Sequence, residues 1–227
     1  MLGILFALHG LAAGQSGPVE LSHSLRFCFG LSDPLSPRPF RENWRTGLSA
    51  DLSFQASMTG HVEFTAGAGY TVFRLNSRRL SSEFNHTSAS SASFAFERGA
   101  YRLGLLHAGL NVHFGSVWKP VSYFLRAEGV LALAHQDDMI LVQEFGGQKV
   151  RERIELGADE AAPGAVAAVG AKIRVDRRVF FVLSADACVL RTSDRVGDSD
   201  LAAFRLSRAQ GENTVFTTFR AGLDIQY

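Results

Sequence analysis

The stretch of residues 214–227 constrains the fold of this chain most, because apolar and mostly polar side chains alternate along its whole length. The apolar set is Val215, Thr217, Phe219, Ala221, Leu223, Ile225 and Tyr227. Successive side chains of a β-strand point to opposite faces, so the alternation predicts a strand with one apolar face. A strand that crosses a membrane needs about 9–11 tilted residues, and this stretch is longer. We therefore predict a membrane-crossing strand.

Seven earlier stretches repeat this alternation, so eight strands are predicted. They lie near residues 19–29, 44–58, 62–72, 98–114, 121–133, 165–175 and 179–189. In the fourth stretch the apolar positions switch from odd to even numbers at Leu105 and Leu106, which predicts a β-bulge. Thr59-Gly60 predicts a tight hairpin turn, and Gly146-Gly147 predicts a second hairpin that extends beyond the membrane.

The connections between these strands alternate between long and short. Short turns are predicted at residues 59–60, 115–119 and 176–178, and long loops near residues 31–42, 76–93, 136–161 and 191–213. Short periplasmic turns and long extracellular loops on an even number of strands are typical of outer-membrane barrels. The predicted fold is all-β, an eight-stranded antiparallel up-and-down transmembrane β-barrel with both termini in the periplasm.

Composition and the first residues fit this fold. The chain has 227 residues, of which 46% are hydrophobic, and its formal charge of +1 gives no sign of a nucleic-acid partner. An apolar run from Leu2 to Leu8, followed by small residues, is typical of a secretory signal peptide, although the usual basic residues are missing. We predict a signal peptide at residues 1–14 and a barrel domain at residues 15–227; the alternative is a buried N-terminal helix.

Alternation alone does not decide which face of the barrel is inside. A soluble lipocalin-type barrel also has eight strands, with its apolar face turned inward around a ligand. The few lysines of the polar set and an apolar face long enough for a band about 25 Å tall favour an apolar exterior in a membrane. Aromatic residues near the strand ends also fit interfacial girdles: Trp44, Tyr70, Phe114, Tyr123 and Tyr227.

With the polar faces inward, acidic and basic side chains balance almost evenly in the lumen. The predicted lumen charge network consists of Glu20, Arg26, Arg45, Asp51, Glu63, Arg126, Glu128, Lys172, Arg174, Asp186, Arg220 and Asp224, and Arg102 has the same predicted orientation. Buried charges must pair, so we predict a salt-bridged plug. Cys28 and Cys188 are predicted on strands two apart, too far apart for a disulfide, and therefore free.

Two neighbouring segments, YRLGLLHAGLNVHFG and VSYFLRAEGVLALAH, together with the signal-like start and the last strand, resemble the small bacterial outer-membrane β-barrel family. That family includes the OmpA/OmpX-type and PorT-type eight-stranded barrels. The resemblance implies a Gram-negative outer membrane, contact with its lipid and lipopolysaccharide, and insertion by the barrel-assembly machinery. It also implies that Leu223, Ile225 and Tyr227 form the assembly signal.

The expected function is that of a non-catalytic scaffold, serving envelope integrity or binding a protein partner at the extracellular loops near Gly146-Gly147. The alternative is a passive channel for small or apolar solutes. A further alternative is a lipid A-modifying hydrolase, because His86-Thr87-Ser88 is similar to the His-x-Ser of barrel deacylases, although Ala89-Ser90 departs from their pattern. No cofactor or metal is predicted; His107 and His113 share one strand face but are six residues apart.

Overall fold

Eight strands close into an antiparallel barrel in the computed structural model, which describes residues 22–87, 92–114, 120–154, 160–191 and 213–227. The strands are β1 (His23–Ser36), β2 (Gly47–Ser57), β3 (Val62–Arg74), β4 (Ser93–Glu97), β5 (Ala100–Phe114), β6 (Val121–Gln136), β7 (Met139–Phe145), β8 (Gln148–Ile154), β9 (Glu160–Arg174), β10 (Val179–Leu190) and β11 (Thr214–Gln226). The barrel order is β1-β11-β10-β9-β6-β5-β3-β2. The eight-stranded prediction is confirmed; the predicted signal peptide and the turn at 115–119 lie outside the described residues.

The first and last strands seal the barrel. In the β1–β11 ladder, Ser24 pairs with Gln226 and Leu31 pairs with Phe219. β2 and β3 are joined through residues 58–61, where the Met58 and Thr59 backbone N–H groups donate to the Val62 carbonyl. We call this end of the barrel, which also carries the turn between β9 and β10, the short-turn end.

The exterior of the barrel is apolar, and the described side chains of its interior are mostly buried. β6 alternates between exposed and buried residues over almost its whole length, and its exposed positions are mostly apolar. Leu48 and Phe219 are each 62% exposed, whereas Arg26 and Lys172 are buried. The soluble-barrel alternative, with its apolar face turned inward, is contradicted. The predicted apolar exterior is confirmed, and such a surface is stable in contact with lipid instead of water.

β5 contains no bulge. Its register with β6 runs without a break from Tyr101–Gln136 to Phe114–Tyr123. Leu103 and Leu105 point inward on the same face as His107. The predicted bulge is therefore wrong: the inner face of this strand changes from apolar to polar along its length, and that change imitated a switch of face in the sequence.

The opposite end carries a structured head. It consists of the three-stranded sheet β4-β7-β8 and the helices α1 (Arg38–Asn43) and α2 (Ser77–Thr87). The hairpin predicted at Gly146-Gly147 is confirmed, and both glycines have positive φ angles, 58° and 79°, as a two-residue β-turn of this kind requires. Neither described helix is long and apolar enough to span a membrane.

Candidate functional site

The short-turn half of the lumen holds a connected set of buried ion pairs. At mid-height, Arg126 Nη2 lies 3.1 Å from Asp186 Oδ1, and Arg126 Nε lies 3.5 Å from Glu128 Oε2. Arg220 Nη1 contacts the same Asp186 at 2.8 Å. All four side chains are buried, so each charge depends on its partners instead of on water.

A second group of ion pairs lies nearer the short-turn end. Lys172 Nζ lies 2.8 Å from Asp224 Oδ2 and 3.5 Å from Glu63 Oε1. Arg26 Nη2 lies 3.4 Å from Asp224 and donates to Gln55 Oε1 at 3.0 Å. Aromatic rings extend this group by cation–π contacts, since Arg26 lies over Phe124 and Lys172 over Phe180, 5.1 Å and 4.8 Å from the ring centroids.

Two histidines complete the network, and the predicted charge set did not include them. His107 Nε2 lies 2.8 Å from Asp51 Oδ2, and its Nδ1 lies 3.1 Å from Glu128 Oε1. An ionised carboxylate can only accept, so hydrogen bonds to two ionised carboxylates require a proton on both ring nitrogens. His113 Nε2 contacts Glu63 Oε2 at 2.8 Å. The sequence signal for both histidines was their position in the alternate set of β5 residues that faces the interior.

These contacts make the described network nearly neutral. Its five acids are Asp51, Glu63, Glu128, Asp186 and Asp224, and its four permanent bases are Arg26, Arg126, Lys172 and Arg220. A proton on each ring nitrogen of His107 brings the positive charges to five. This balance is what a plug needs, because an unpaired charge in this environment is costly.

Three residues with a predicted inward orientation are not members of the network that the structure describes. Arg174 is only partly buried and lies over the Phe180 ring, 5.4 Å from its centroid. Glu20 lies outside the described residues. Arg102 is exposed and forms an ion pair with Asp137 at 2.7 Å, so its predicted inward orientation is wrong.

Arg45 is also exposed, and its assignment to the lumen is wrong. Trp44 takes the inward position in its place, where it is buried against Tyr101 with ring centroids 5.7 Å apart. Trp44 therefore belongs to the interior and not to an outer girdle, whereas Tyr70, Phe114, Tyr123 and Tyr227 are exposed as predicted.

The head half of the lumen is filled by an apolar layer. Phe73 lies at its centre, fully buried, with its ring centroid 5.2 Å from Phe40 of α1 and 5.6 Å from Phe216 of β11. Tyr101 and Leu103 of β5 pack into the same cluster. Phe40, a residue of the head, thus packs on the apolar layer, and the charged network lies on the opposite side of that layer.

Both cysteines are free and buried, as predicted, Cys28 on β1 and Cys188 on β10. Both strands pair with β11, so one strand separates them. Within the described residues, no group of three or more His, Cys, Asp or Glu side chains could hold a metal ion.

The predicted assembly residues lie on the outer face of β11. Leu223, Ile225 and Tyr227 are exposed, and the Tyr227 backbone N–H donates to the His23 carbonyl at 3.0 Å. The His23 ring stacks on Phe54 with ring centroids 5.5 Å apart. This geometry joins the end of β11 to the start of β1, while recognition of these residues during assembly stays a prediction.

The head presents a hairpin to solvent. Gln148–Ile154, the strand β8, is exposed along nearly its whole length, and among the described strands it pairs with β7 alone. Ion pairs tie it to its neighbours, Lys149 with Glu144 at 3.3 Å and Arg151 with Glu97 at 3.5 Å. Beneath the sheet, α2 packs its Phe84 ring against Phe94 and Phe96.

The residues considered for hydrolase chemistry lie in or beside this head. His86 is exposed in the last turn of α2. Ser88 and the two residues after it lie outside the described part of the chain.

No protein-family model and no curated protein sequence matches this chain. Solved structures do. Neisserial surface protein A has 13% identity and a TM-score of 0.49, covering 90% of this chain and 97% of that one. OprG from Pseudomonas aeruginosa has 9% identity and a TM-score of 0.49, covering 93% and 98%. The N-terminal β-barrel domain of OprF from the same organism has 11% identity and a TM-score of 0.40, covering 92% and 100%.

At these identities the similarity concerns the fold alone. The strand order and the apolar exterior are properties of this chain itself. The architecture of the chain is a closed eight-stranded antiparallel β-barrel with an apolar exterior.

Proposed function

We propose that this chain is a non-catalytic protein of the bacterial outer membrane, with a closed lumen and an extracellular head that binds a protein partner. The observation that carries this proposal is the double seal of the lumen. Lys172 and Phe73, one from each layer, are both 0% exposed. With the head outside the cell, the short-turn end faces the periplasm, as in other outer-membrane barrels.

The charge pattern of the lumen supports a plug instead of a channel. Selective pores carry rings of one sign of charge, whereas here opposite charges alternate at separations of 2.8–3.5 Å. An eight-stranded barrel is just wide enough for side chains to fill its interior. A solute would have to displace both layers to pass.

Planar-bilayer recording tests the closed lumen. We expect no stable current steps from refolded protein whose folding is verified by heat-modifiable gel migration. A porin inserted in the same bilayer provides the positive control. Stable unitary steps from the folded protein would establish the passive-channel alternative in place of the plug.

The free edge of β8 supports the binding role. The two-residue turn makes Phe145 and Gln148 a hydrogen-bonded pair, so alternate residues, Lys149 and Arg151 among them, turn their backbone N–H and C=O groups away from β7. An extended segment of another protein can add to such an edge as a further strand. The basic side chains favour an acidic segment and disfavour a second copy of β8, whose like charges would oppose them.

A synthetic peptide with alternating glutamate and valine provides a defined probe of this edge. We expect it to perturb the NMR resonances of β8. Arg151→Pro should abolish the effect, because it removes an outward N–H while leaving the hydrogen bonds to β7 in place. Arg151→Ala, the matched control, keeps that N–H and should retain most of the binding. An unperturbed β8, or equal loss in both variants, would contradict strand addition.

Lipid A mass spectra test the non-catalytic assignment. We expect spectra from cells that express the protein, the His86→Ala variant and the Ser88→Ala variant to be identical. A modification that appears on expression and reverts in either variant would establish the hydrolase alternative.

A further inference from the structure

Arginines concentrate where two chain segments meet at the head end of the barrel wall. Residues 38–45 and 74–79 together contain six arginines and one acidic residue, Glu42. We call these six residues the arginine corner: Arg38, Arg41, Arg45, Arg74, Arg78 and Arg79. The six positive charges and one negative charge give these segments a net charge of +5.

Backbone contacts hold the two segments together. The Arg45 N–H donates to the Arg74 carbonyl at 2.9 Å, and the Asn76 N–H donates to the Asn43 carbonyl at 2.7 Å. Trp44 forms a bridge with Leu75, and both side chains are buried in the apolar layer. The neighbouring Arg45 and Arg74 are consequently exposed at the outer rim.

Acidic groups neutralise only part of the corner. Glu42 is shared by Arg38 and Arg79, with N–O distances of 2.7 Å and 2.6 Å. The hydrogen bond from Arg38, together with the charge of Arg79, holds the pKa of Glu42 below its usual range. Within the part of the chain that the structure describes, Arg41, Arg45, Arg74 and Arg78 form no ion pair with an acidic side chain. Asp33, on the neighbouring β1, accepts a hydrogen bond from the Thr46 hydroxyl.

Arg45 is oriented by an amide instead of a carboxylate. Its Nε and Nη2 both donate to Asn76 Oδ1 at 3.2 Å. Asn76 is itself fixed, because its Nδ2 donates to the Glu42 backbone carbonyl at 3.3 Å. A neutral acceptor positions the guanidinium without cancelling its charge, which leaves the charge available to an anion outside the protein.

The corner lies directly above a lipid-facing wall. Below it, the outer faces of β2 and β3 present Leu48, Leu52 and the girdle residue Tyr70, all exposed. The headgroups of lipids whose chains cover this wall lie at the height of the corner. Guanidinium groups match phosphate in geometry and charge.

We infer that the arginine corner binds the phosphate groups of a phosphorylated glycolipid of the outer leaflet, lipopolysaccharide. This inference rests on the outer-membrane location proposed above. It assigns the corner a ligand that is distinct from the protein partner of β8.

The test is a binding titration of the refolded full chain in detergent micelles, with bisphosphorylated lipid A as the probe and EDTA present to exclude bridging cations. We expect Arg45→Gln/Arg74→Gln to weaken binding about tenfold or more. The matched control is Arg177→Gln/Arg178→Gln, which removes the same charge from the exposed turn at the other end. It should bind within about twofold of the wild type, since that turn is far from the corner.

Asn76→Asp gives a sharper variant. The substitution keeps an oxygen acceptor for Arg45 and a residue that suits the start of a helix. It gives up the hydrogen bond from Asn76 Nδ2 to the Glu42 carbonyl, so heat-modifiable migration is measured alongside binding to verify the fold. It also places a negative charge directly on the guanidinium. We expect several-fold weaker lipid A binding with unchanged heat-modifiable migration. Binding equal to that of the wild type would overturn the role assigned to Arg45.

Two further measurements distinguish binding of a phosphorylated lipid from binding of a free anion. Dephosphorylated lipid A should bind the wild type and the double variant equally. Displacement of lipid A by millimolar inorganic phosphate would overturn the lipid assignment, and equal loss in the control variant would overturn the site. If the wild type itself shows no heat-modifiable migration, that result contradicts the proposed membrane barrel, and not the assignment of a ligand to the arginine corner.

Discussion

The two halves of the lumen fill the same tube with opposite chemistry. Toward the short-turn end, charged side chains pair across the barrel, as Lys172 does with Asp224. Toward the head, aromatic rings such as Phe73 and Phe216 pack edge to face. Each ion depends on one or two partners, whereas each ring depends on the volume around it. Substitutions that remove a charge without changing the shape of the side chain should therefore destabilise the charged layer. Substitutions that reduce side-chain volume without changing polarity should destabilise the apolar layer.

The largest expected effect comes from Phe73→Ala in the apolar layer. We expect a loss of about 4 kcal/mol in the free energy of unfolding, because the side chain is fully buried between Phe40 and Phe216. Urea titration of vesicle-inserted protein measures it. Phe64→Ala on the outer wall is the control and should cost less, because lipid fills the space left by its ring. Equal losses would show that the apolar layer is not tightly packed.

Asp224→Asn tests the charged layer at nearly constant shape. It leaves Lys172 and Arg26 without their shared carboxylate, and we expect a loss of about 3 kcal/mol in the same titration. Asp137→Asn, which breaks the exposed pair with Arg102, provides the control and should have little effect. A loss from Asp224→Asn that is no larger than the control would mean that water reaches the network.

His107→Gln tests the join between the layers and should have a smaller effect. The variant removes the positive group between Asp51 and Glu128, and we expect a loss of about 2 kcal/mol. His86→Gln, on the exposed surface of α2, should leave the free energy of unfolding unchanged. If His107→Gln also leaves the free energy of unfolding unchanged, Asp51 and Glu128 do not need a positive charge between them.

The smallest expected effect lies outside both layers, at Glu42. Because its pKa is lowered in the folded protein, the ionised form stabilises the fold above the unfolded-state pKa of about 4.3, and this contribution is lost as pH falls through the folded-state value. Thermal unfolding curves of the wild type and Glu42→Gln should differ slightly at pH 7 and converge once the pH falls below the folded-state pKa. A difference that grows on acidification would contradict the assignment.

The sequence predicts the outer wall well and the two-layer interior poorly. Lipid imposes one apolar face on every strand, so period-two alternation identified all eight barrel strands. The inner face has no such constraint, and the change from Leu105 to His107 on β5 was interpreted as a bulge. Trp44 and Arg45 were assigned to the wrong sides because the bridge to Leu75 changes the parity there.

Strand alternation in the sequence could not predict the head or the ion-pair partners, for a different reason. α2 is short and mostly polar, and its packing residues Leu80 and Phe84 are a single pair at helical spacing. Ion-pair partners such as Arg126 and Asp186 lie 60 residues apart in the sequence. Which charges meet across the lumen depends on the stagger of the closed strands, and alternation carries no information about that stagger.

The seam between β1 and β11 has a consequence for the order of folding. Arg26 and Asp224 are paired in register across it, although 198 residues separate them in the sequence. Such distant pairings form slowly, because the entropy of closing the longest loop is lost before any contact compensates for it. Until that moment both strands are open edges, able to join another chain. The Arg26–Asp224 contact is therefore a direct reporter of ring closure, the step that separates a membrane barrel from an aggregating sheet.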